Sequence, residues 1–271
     1  MGSPLAFDCR RNELARLRHG PISEEDVYRS FRESIEPEGF MRRYLSLAQI
    51  GAIIGDTLIV HGGVSQHNLG KVPNGFVAFE IDQSNASAFF KSDKKDFLLY
   101  DNAHEWITQL NRWYAMAIDR WFSSSSEMKF YGHSNSAPAS PLQHIAIGPG
   151  SYFHGQLPVV GNFLKDRVTP WPIADEVSSY LKKSGINRIV AGHQPNSGTP
   201  LVLFGTATAA LSRHAFQVVT CDTLYGNAKA YDAQCGAQIR AQDPRGTSFA
   251  TVYVTYDTAN HQTRVDYPDG S

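Results

Sequence analysis

The feature that most limits the possible folds of this chain is a pair of short apolar strands, each of which leads into a glycine-flanked histidine. Residues 57–60 (TLIV) lead into His61-Gly62-Gly63, and residues 188–191 (RIVA) lead into Gly192-His193. Neither strand alternates polar and apolar residues, which is typical of strands buried on both faces of a parallel sheet. Ligands in α/β folds gather outside the carboxyl ends of such strands. The pattern therefore predicts an α/β fold with a site where the two histidines emerge.

Capping signals and apolar spacing predict helices on both sides of these strands. Ser23 followed by acidic residues predicts a helix that ends near residue 35, and a second helix with a wide apolar face is predicted over 39–50. Asp101 or Asn102 would cap a long helix whose stripe carries three of the four tryptophans and is expected to pack in the core. A helix over 175–183 would close at Gly185. Further strands are expected at 201–204, 216–221 and 249–256.

Length and composition limit the classes of function. The 271 residues are assigned to one domain, residues 1–256, with a polar tail at 257–271. The 25 basic and 26 acidic residues give a net charge of −1, which offers no electrostatic case for nucleic acid. No apolar run is long enough for direct membrane insertion. Three widely spaced cysteines (Cys9, Cys221 and Cys235) predict reduced thiols and an intracellular location, cytoplasmic or in an organellar matrix.

The two histidines predict half of a metal site. Neutral imidazole is a common ligand of zinc, iron and manganese. A single histidine near a strand end is more often an ordinary hydrogen-bonded residue, but the repeated context of His61 and His193 favours a ligand role. The eight other histidines lack this context.

Three segments resemble one enzyme family. GDTLIVHGGVS (55–65), IVAGHQP (189–195) and VTCDT (219–223) are similar to segments of the calcineurin-like metallophosphoesterases, especially the bacterial-type, Shewanella-like protein phosphatase branch. The resemblance covers most of residues 1–225. It implies a partial metallophosphoesterase-type β-sandwich flanked by helices, with His61 and His193 as ligands of the second metal (Mn, Fe or Zn). It also implies that Gly62, Gly63, Gly192 and Asp222 shape the site.

The same resemblance implies ligands that the sequence lacks. The family motifs GDxHG, GDxxDRG and GNH or GNRD, which supply the first metal and the bridging aspartate, do not occur and would lie before Met1. Gln156 stands near the position of a phosphate-binding arginine, for which Arg167 could substitute. The favoured interpretation is a protein inactive alone that serves as an accessory subunit of a larger assembly. The alternatives are a split chain of an active two-metal phosphatase, completed by a complementary chain, and an unrelated α/β domain that binds a small ligand.

Overall fold

The structure is a computed structural model of the chain. It describes residues 6–66, 68–75, 97–123, 164–165, 169–170, 173–192, 200–205, 215–221, 251–255 and 262–266. The chain divides into two compact units, of which the first includes residues 1–48 and the second begins at Gln49. The assignment of residues 1–256 to one domain stays a prediction.

Three helices form the described part of the first unit: α1 (Ala6–Arg18), α2 (Glu24–Ile35) and α3 (Phe40–Leu47). The predicted start of α2 is confirmed, because Ser23 and Asp26 form a capping box. The Ser23 hydroxyl accepts from the Asp26 amide at 3.1 Å, and the Asp26 carboxylate accepts from the Ser23 amide at 3.1 Å. These bonds satisfy amides that a helix start leaves without partners. The Ser23 hydroxyl also donates to the Asp26 carboxylate at 2.6 Å, and this bond, followed by the one from the Ser23 amide, holds the pKa of Asp26 below its usual value.

The third helix differs from its prediction in length and burial. It ends at Leu47 and not near residue 50, since Ala48 is already extended and the chain goes on into a strand. None of its residues is buried. Phe40, Tyr44 and Leu47 are 63%, 66% and 83% exposed, so the predicted apolar face does not pack into a core.

The second unit has an α/β architecture with a mixed five-stranded sheet. In chain order the elements are β1 (Gly51–Ile54), β2 (Thr57–Val60), β3 (Lys71–Pro73), β4 (Phe97–Leu99), α4 (Ala103–Ser123), β5 (Leu164–Lys165), β6 (Thr169–Pro170), α5 (Asp175–Lys183), β7 (Arg188–Ala191), β8 (Leu201–Phe204), β9 (Gln217–Thr220), β10 (Thr251–Thr255) and β11 (Gln262–Asp266). The strand order of the five-stranded sheet is β1-β2-β7-β9-β8, in which β2, β7 and β9 are parallel and the outer two strands are antiparallel. The predicted strands at 57–60, 188–191, 201–204 and 216–221 are confirmed to within a residue.

The sequence analysis missed strand β1. It forms a hairpin with β2 through Gly55 and Asp56, and Gly55 has a positive φ of 59°. A Gly-Asp pair between two apolar runs is a hairpin signal, because glycine enters the left-handed region without steric cost. Within the segment predicted as a polar tail, β11 pairs with β10.

The two faces of the sheet differ in burial. One face carries Leu58, Ile189 and Val218, which are fully or almost fully buried in the same core cluster as side chains from α4 and α5. The opposite face, here called the outer face, leaves Ile54, Ile59 and Phe204 exposed at 65%, 38% and 41%. The register places these three on one side, since side chains alternate along a strand. The prediction that β2 is buried on both faces is therefore wrong at Ile59.

The predicted helices of this unit are confirmed. The Asn102 side chain accepts from the amides of His104 and Glu105 and thereby caps α4. Trp106 and Trp113 of its stripe are buried in the core cluster. Helix α5 closes at Gly185, whose φ is 78°, and the Ile186 amide donates to the Leu181 carbonyl at 3.0 Å. Among the described residues, no helix is long and apolar enough to cross a membrane.

Candidate functional site

The carboxyl ends of the three parallel strands meet at one edge of the sheet. Val60 of β2 pairs in register with Ala191 of β7. One residue further on, the Gly192 amide donates to the His61 carbonyl at 2.9 Å, and the Cys221 amide donates to the Ala191 carbonyl at 2.7 Å. This carboxyl edge is therefore continuous from β2 to β9.

At this edge the histidine is exposed and the glycines after it are not. The His61 residue is exposed at the end of β2, whereas Gly62 and Gly63 are buried. The side chain of His61 therefore emerges into solvent from a backbone that the sheet holds in place. His193 and Asp222, as well as Gln156 and Arg167, lie outside the described residues.

The structure does not support a steric need for glycine at position 192. Gly192 has no positive φ, and a Cβ built on it would lie 3.6 Å from the His61 carbonyl oxygen, an ordinary van der Waals distance. The role of Gly192 in shaping the site stays a prediction, since the residues that follow it lie outside the described ones.

A buried asparagine that the sequence analysis missed holds the loop after His61. The Asn68 side chain donates to the Gly63 carbonyl at 3.0 Å and accepts from the Ser65 amide at 2.9 Å. Asn68 is fully buried, so these bonds satisfy backbone groups that water does not reach. The sequence signal was Ser65-x-x-Asn68, since asparagine commonly bonds to nearby backbone in a turn.

A glycine and a tyrosine fix the far end of the same loop. Gly70 has a φ of 69°, and a Cβ there would lie 2.4 Å from the Tyr100 carbonyl oxygen. The Tyr100 amide donates to the Gly70 carbonyl at 2.8 Å, and the Tyr180 hydroxyl of α5 donates to the Tyr100 carbonyl at 2.8 Å. Burial, with smaller contributions from the carboxylates of Asp101 and Glu105, raises the pKa of Tyr180 to about 12. The hydroxyl therefore remains a donor throughout the physiological range.

Two indole groups of α4 form hydrogen bonds to the backbone just after Gly70. Trp106 donates its ring N–H to the Lys71 carbonyl at 3.0 Å, and Trp113 donates to the Gly75 carbonyl at 2.9 Å. The tryptophan stripe predicted as core packing thus also anchors the segment that follows His61.

Cys221 follows β9 at the same edge as a free thiol. Burial raises its pKa. Protonated thiols are poor nucleophiles and poor metal ligands. Cys9 is likewise a free thiol, and Cys235 lies outside the described residues, so the prediction of reduced thiols stays a prediction.

The described residues do not by themselves form a complete metal site. Within the described part of the chain, no group of three or more His, Cys, Asp and Glu side chains is placed to hold an ion. His61 is the one residue of the predicted metal-ligand pair that the described residues include.

The amino ends of the same strands carry a closed polar network that the sequence analysis also missed. The Arg188 guanidinium lies 3.7 Å from the Asp56 carboxylate, and both side chains are almost completely buried. Arg188 also donates to Thr57 at 3.3 Å and to Gln217 at 3.2 Å. Gln217 in turn accepts from Thr263 of β11 at 2.8 Å. Burial lowers the pKa of Arg188, and the negative charge of Asp56 opposes that shift.

No protein-family model, no curated protein and no solved structure matches this chain.

Proposed function

We propose that this chain is a metallophosphoesterase-fold protein that is inactive by itself and serves as an accessory subunit of a larger assembly. In this proposal the mixed sheet is part of a metallophosphoesterase-type β-sandwich. His61 and His193 are half of a two-metal site at the carboxyl edge, with Asp222 and the glycines shaping it.

The observation that carries the proposal is the 2.9 Å hydrogen bond from the Gly192 amide to the His61 carbonyl. It brings the two histidine-bearing strand ends side by side, because His193 follows Gly192 directly in the sequence. Two imidazoles from adjacent parallel strands are a reasonable start for a first-row metal site. The buried Asn68 supports this, since a ligand needs a loop that holds its position.

Two histidines leave such a site incomplete. Bound Mn, Fe or Zn would supply Lewis-acid chemistry toward a phosphate oxygen. A two-metal mechanism needs further carboxylate ligands and a bridging group. Among the described residues, no group of three or more His, Cys, Asp and Glu side chains is placed to supply these ligands. In the proposal the remaining ligands, if any are used, come from outside this part of the chain.

The outer face of the sheet supports an assembly. In a β-sandwich flanked by helices, each sheet packs against the other sheet on one face and against helices on the other. Here Val219, at the centre of the outer face, is fully buried, whereas Ile54, Ile59 and Phe204, on and near the two edge strands, stay exposed. Exposed apolar side chains on one face are typical of a surface that contacts another subunit.

The alternative is an active phosphatase whose complementary chain supplies the first metal site. The same strand-end geometry favours it, because His61 and His193 would then bind the second ion during turnover of phosphomonoesters. The two proposals differ in turnover and agree on metal binding.

Metal titration and a phosphatase assay on the full chain test both. We expect Mn²⁺ or Zn²⁺ to bind weakly, as measured by calorimetry, and para-nitrophenyl phosphate not to be hydrolysed with Mn²⁺ added. His61→Ala and His193→Ala should each abolish measurable binding. The matched control is His104→Ala, since His104 is exposed on α4 of the same unit and its ring Nε2 lies 3.0 Å from the Ser184 carbonyl oxygen.

Each outcome discriminates. Turnover by this chain alone that His61→Ala abolishes would overturn the inactive accessory role and also the need for a complementary chain. Metal binding unaffected by both histidine variants would contradict the half-site itself. A phosphatase activity gained only when a second chain is added would favour the split enzyme.

A further inference from the structure

The second and third helices carry two complementary surfaces that the proposed function does not use. The first is a stripe on α3 formed by Phe40, Tyr44 and Leu47. Their spacing of four and three residues places them on one side of the helix, and they are the most exposed large apolar side chains of that helix. This stripe has the residue spacing with which a helix anchors in a groove.

The second surface is a groove along the outer side of α2. It has a volume of about 190 Å³, enough for one large side chain, and Tyr28 forms its apolar wall. Its rim is charged, with three carboxylates and two guanidinium groups contributed by Glu25, Glu33, Glu36, Arg29 and Arg32.

A tight connection keeps the two helices adjacent. The Gly39 amide donates to the Glu36 carbonyl at 2.7 Å. A Cβ at Gly39 would lie 2.2 Å from the Ser34 carbonyl oxygen, so only glycine fits. Stripe and groove therefore lie on neighbouring helices of the same unit, joined by a short turn.

The charges of the two surfaces are complementary. Helix α3 contains Arg42 and Arg43 and no acidic residue, whereas the groove rim has a net negative charge. Within the described part of the chain, neither Arg43 nor Glu33 forms an ion pair. Each surface thus has the shape and the charge that the other needs, but a helix cannot fill a groove on its own immediate neighbour across a four-residue turn.

We infer that a second copy of this chain occupies the surface, with the stripe of each protomer packed against the α2 groove of the other. In a two-fold dimer each stripe packs in the groove of the other protomer, so that both surfaces of both protomers are covered. The stripe has three large side chains and the groove about 190 Å³, which makes the interface small by the standards of specific complexes, so we expect a reversible dimer.

Sedimentation velocity of the full chain across a concentration series tests the inference. The mass is expected to rise with concentration from the 30.0 kDa of one chain toward twice that value. Leu47→Ser should weaken the dimer at least about tenfold, because one methyl-rich anchor is lost on each side. The matched control is Leu99→Ser, a leucine 68% exposed on β4 of the other unit, which should change nothing.

Charge reversal gives a second, independent readout. Arg43→Glu and Glu33→Arg should each weaken association, and the double variant should recover it because the pair is restored across the interface. All these side chains are exposed, so circular dichroism is expected to show unchanged folding. A monomer at every concentration, equal effects of Leu47→Ser and Leu99→Ser, or failure of the double variant to recover would each overturn the inference. A chain that associates only with a different protein through α3 would also overturn it.

Discussion

The two ends of strands β2, β7 and β9 use polar side chains in opposite ways. At the amino ends, Asp56 and Arg188 are buried against each other and bonded to Thr57 and Gln217. At the carboxyl ends, His61 is exposed and the polar groups beneath it are backbone amides and carbonyls. The amino edge is closed by its own side chains, whereas the carboxyl edge exposes His61 to solvent. Stability should therefore depend on the first edge and ligand binding on the second.

The largest effect should come from breaking the buried pair at the amino edge. Asp56→Ala leaves the Arg188 charge buried without its carboxylate, so we expect a loss of about 3–5 kcal/mol in the free energy of unfolding. Urea denaturation followed by circular dichroism measures it. The double variant Asp56→Ala with Arg188→Met should be less destabilised, because no unpaired charge remains. A loss below about 1 kcal/mol for Asp56→Ala would show that the amino edge does not carry the stability assigned to it.

The second-largest effect on stability should distinguish two glycines near the carboxyl edge when each is replaced by alanine. Gly70→Ala should cost at least about 2 kcal/mol, since its φ is 69° and the new Cβ would lie against the Tyr100 carbonyl. Gly192→Ala should change stability by less than about 0.5 kcal/mol, because its Cβ has room. Thermal unfolding of the two variants gives the difference. Equal losses would contradict the distinction between the rigid loop and the open strand end.

A smaller effect appears at alkaline pH, through the tyrosine that holds this loop. Above the usual tyrosine pKa of about 10, the unfolded chain loses the phenolic proton while folded Tyr180 keeps it until about pH 12. Stability should thus fall as pH rises through this window, by about 1–2 kcal/mol after allowance for partial exposure.

Tyr180→Phe is the control for that pH dependence. At neutral pH it should cost about 1 kcal/mol, since the Tyr100 carbonyl loses a donor. Between pH 10 and 12 its stability should decline less steeply than that of the parent chain. Parallel curves of stability against pH for the two proteins would show that the pKa of Tyr180 is not raised in the folded state.

Sequence patterns anticipated the elements that depend on local signals. Ser23 and Asp26 cap α2 as expected, and the tryptophan stripe of α4 and the closing Gly185 of α5 are in place. Each of these depends on residues within one or two helical turns.

What the sequence did not reveal depends on contacts between distant segments. The partners Asp56 and Arg188 are 132 residues apart, and neither side chain alone signals that burial will pair them. The apolar face of α3 is the opposite case, in which the local pattern is clear but burial does not follow from it. Its spacing predicts a core-facing helix, but burial depends on what packs against it, and Tyr44 remains exposed. For the candidate site, the sequence identified His61 and missed Asn68, because ligand types are visible in a motif whereas a buried positioning amide is visible only in its contacts.

The smallest effect on stability should come from the residue assigned the largest role in binding. His61 is exposed, so His61→Ala should change the metal-free melting temperature by less than the experimental scatter, a difference within about 0.5 kcal/mol. Added Mn²⁺ or Zn²⁺ should raise the melting temperature of the parent chain and of His104→Ala, because an ion that binds the folded state stabilises it. The same addition should leave His61→Ala unchanged. If instead His61→Ala unfolds the metal-free protein as readily as Asp56→Ala does, the carboxyl edge is structural, and the contrast between the two ends of the strands fails.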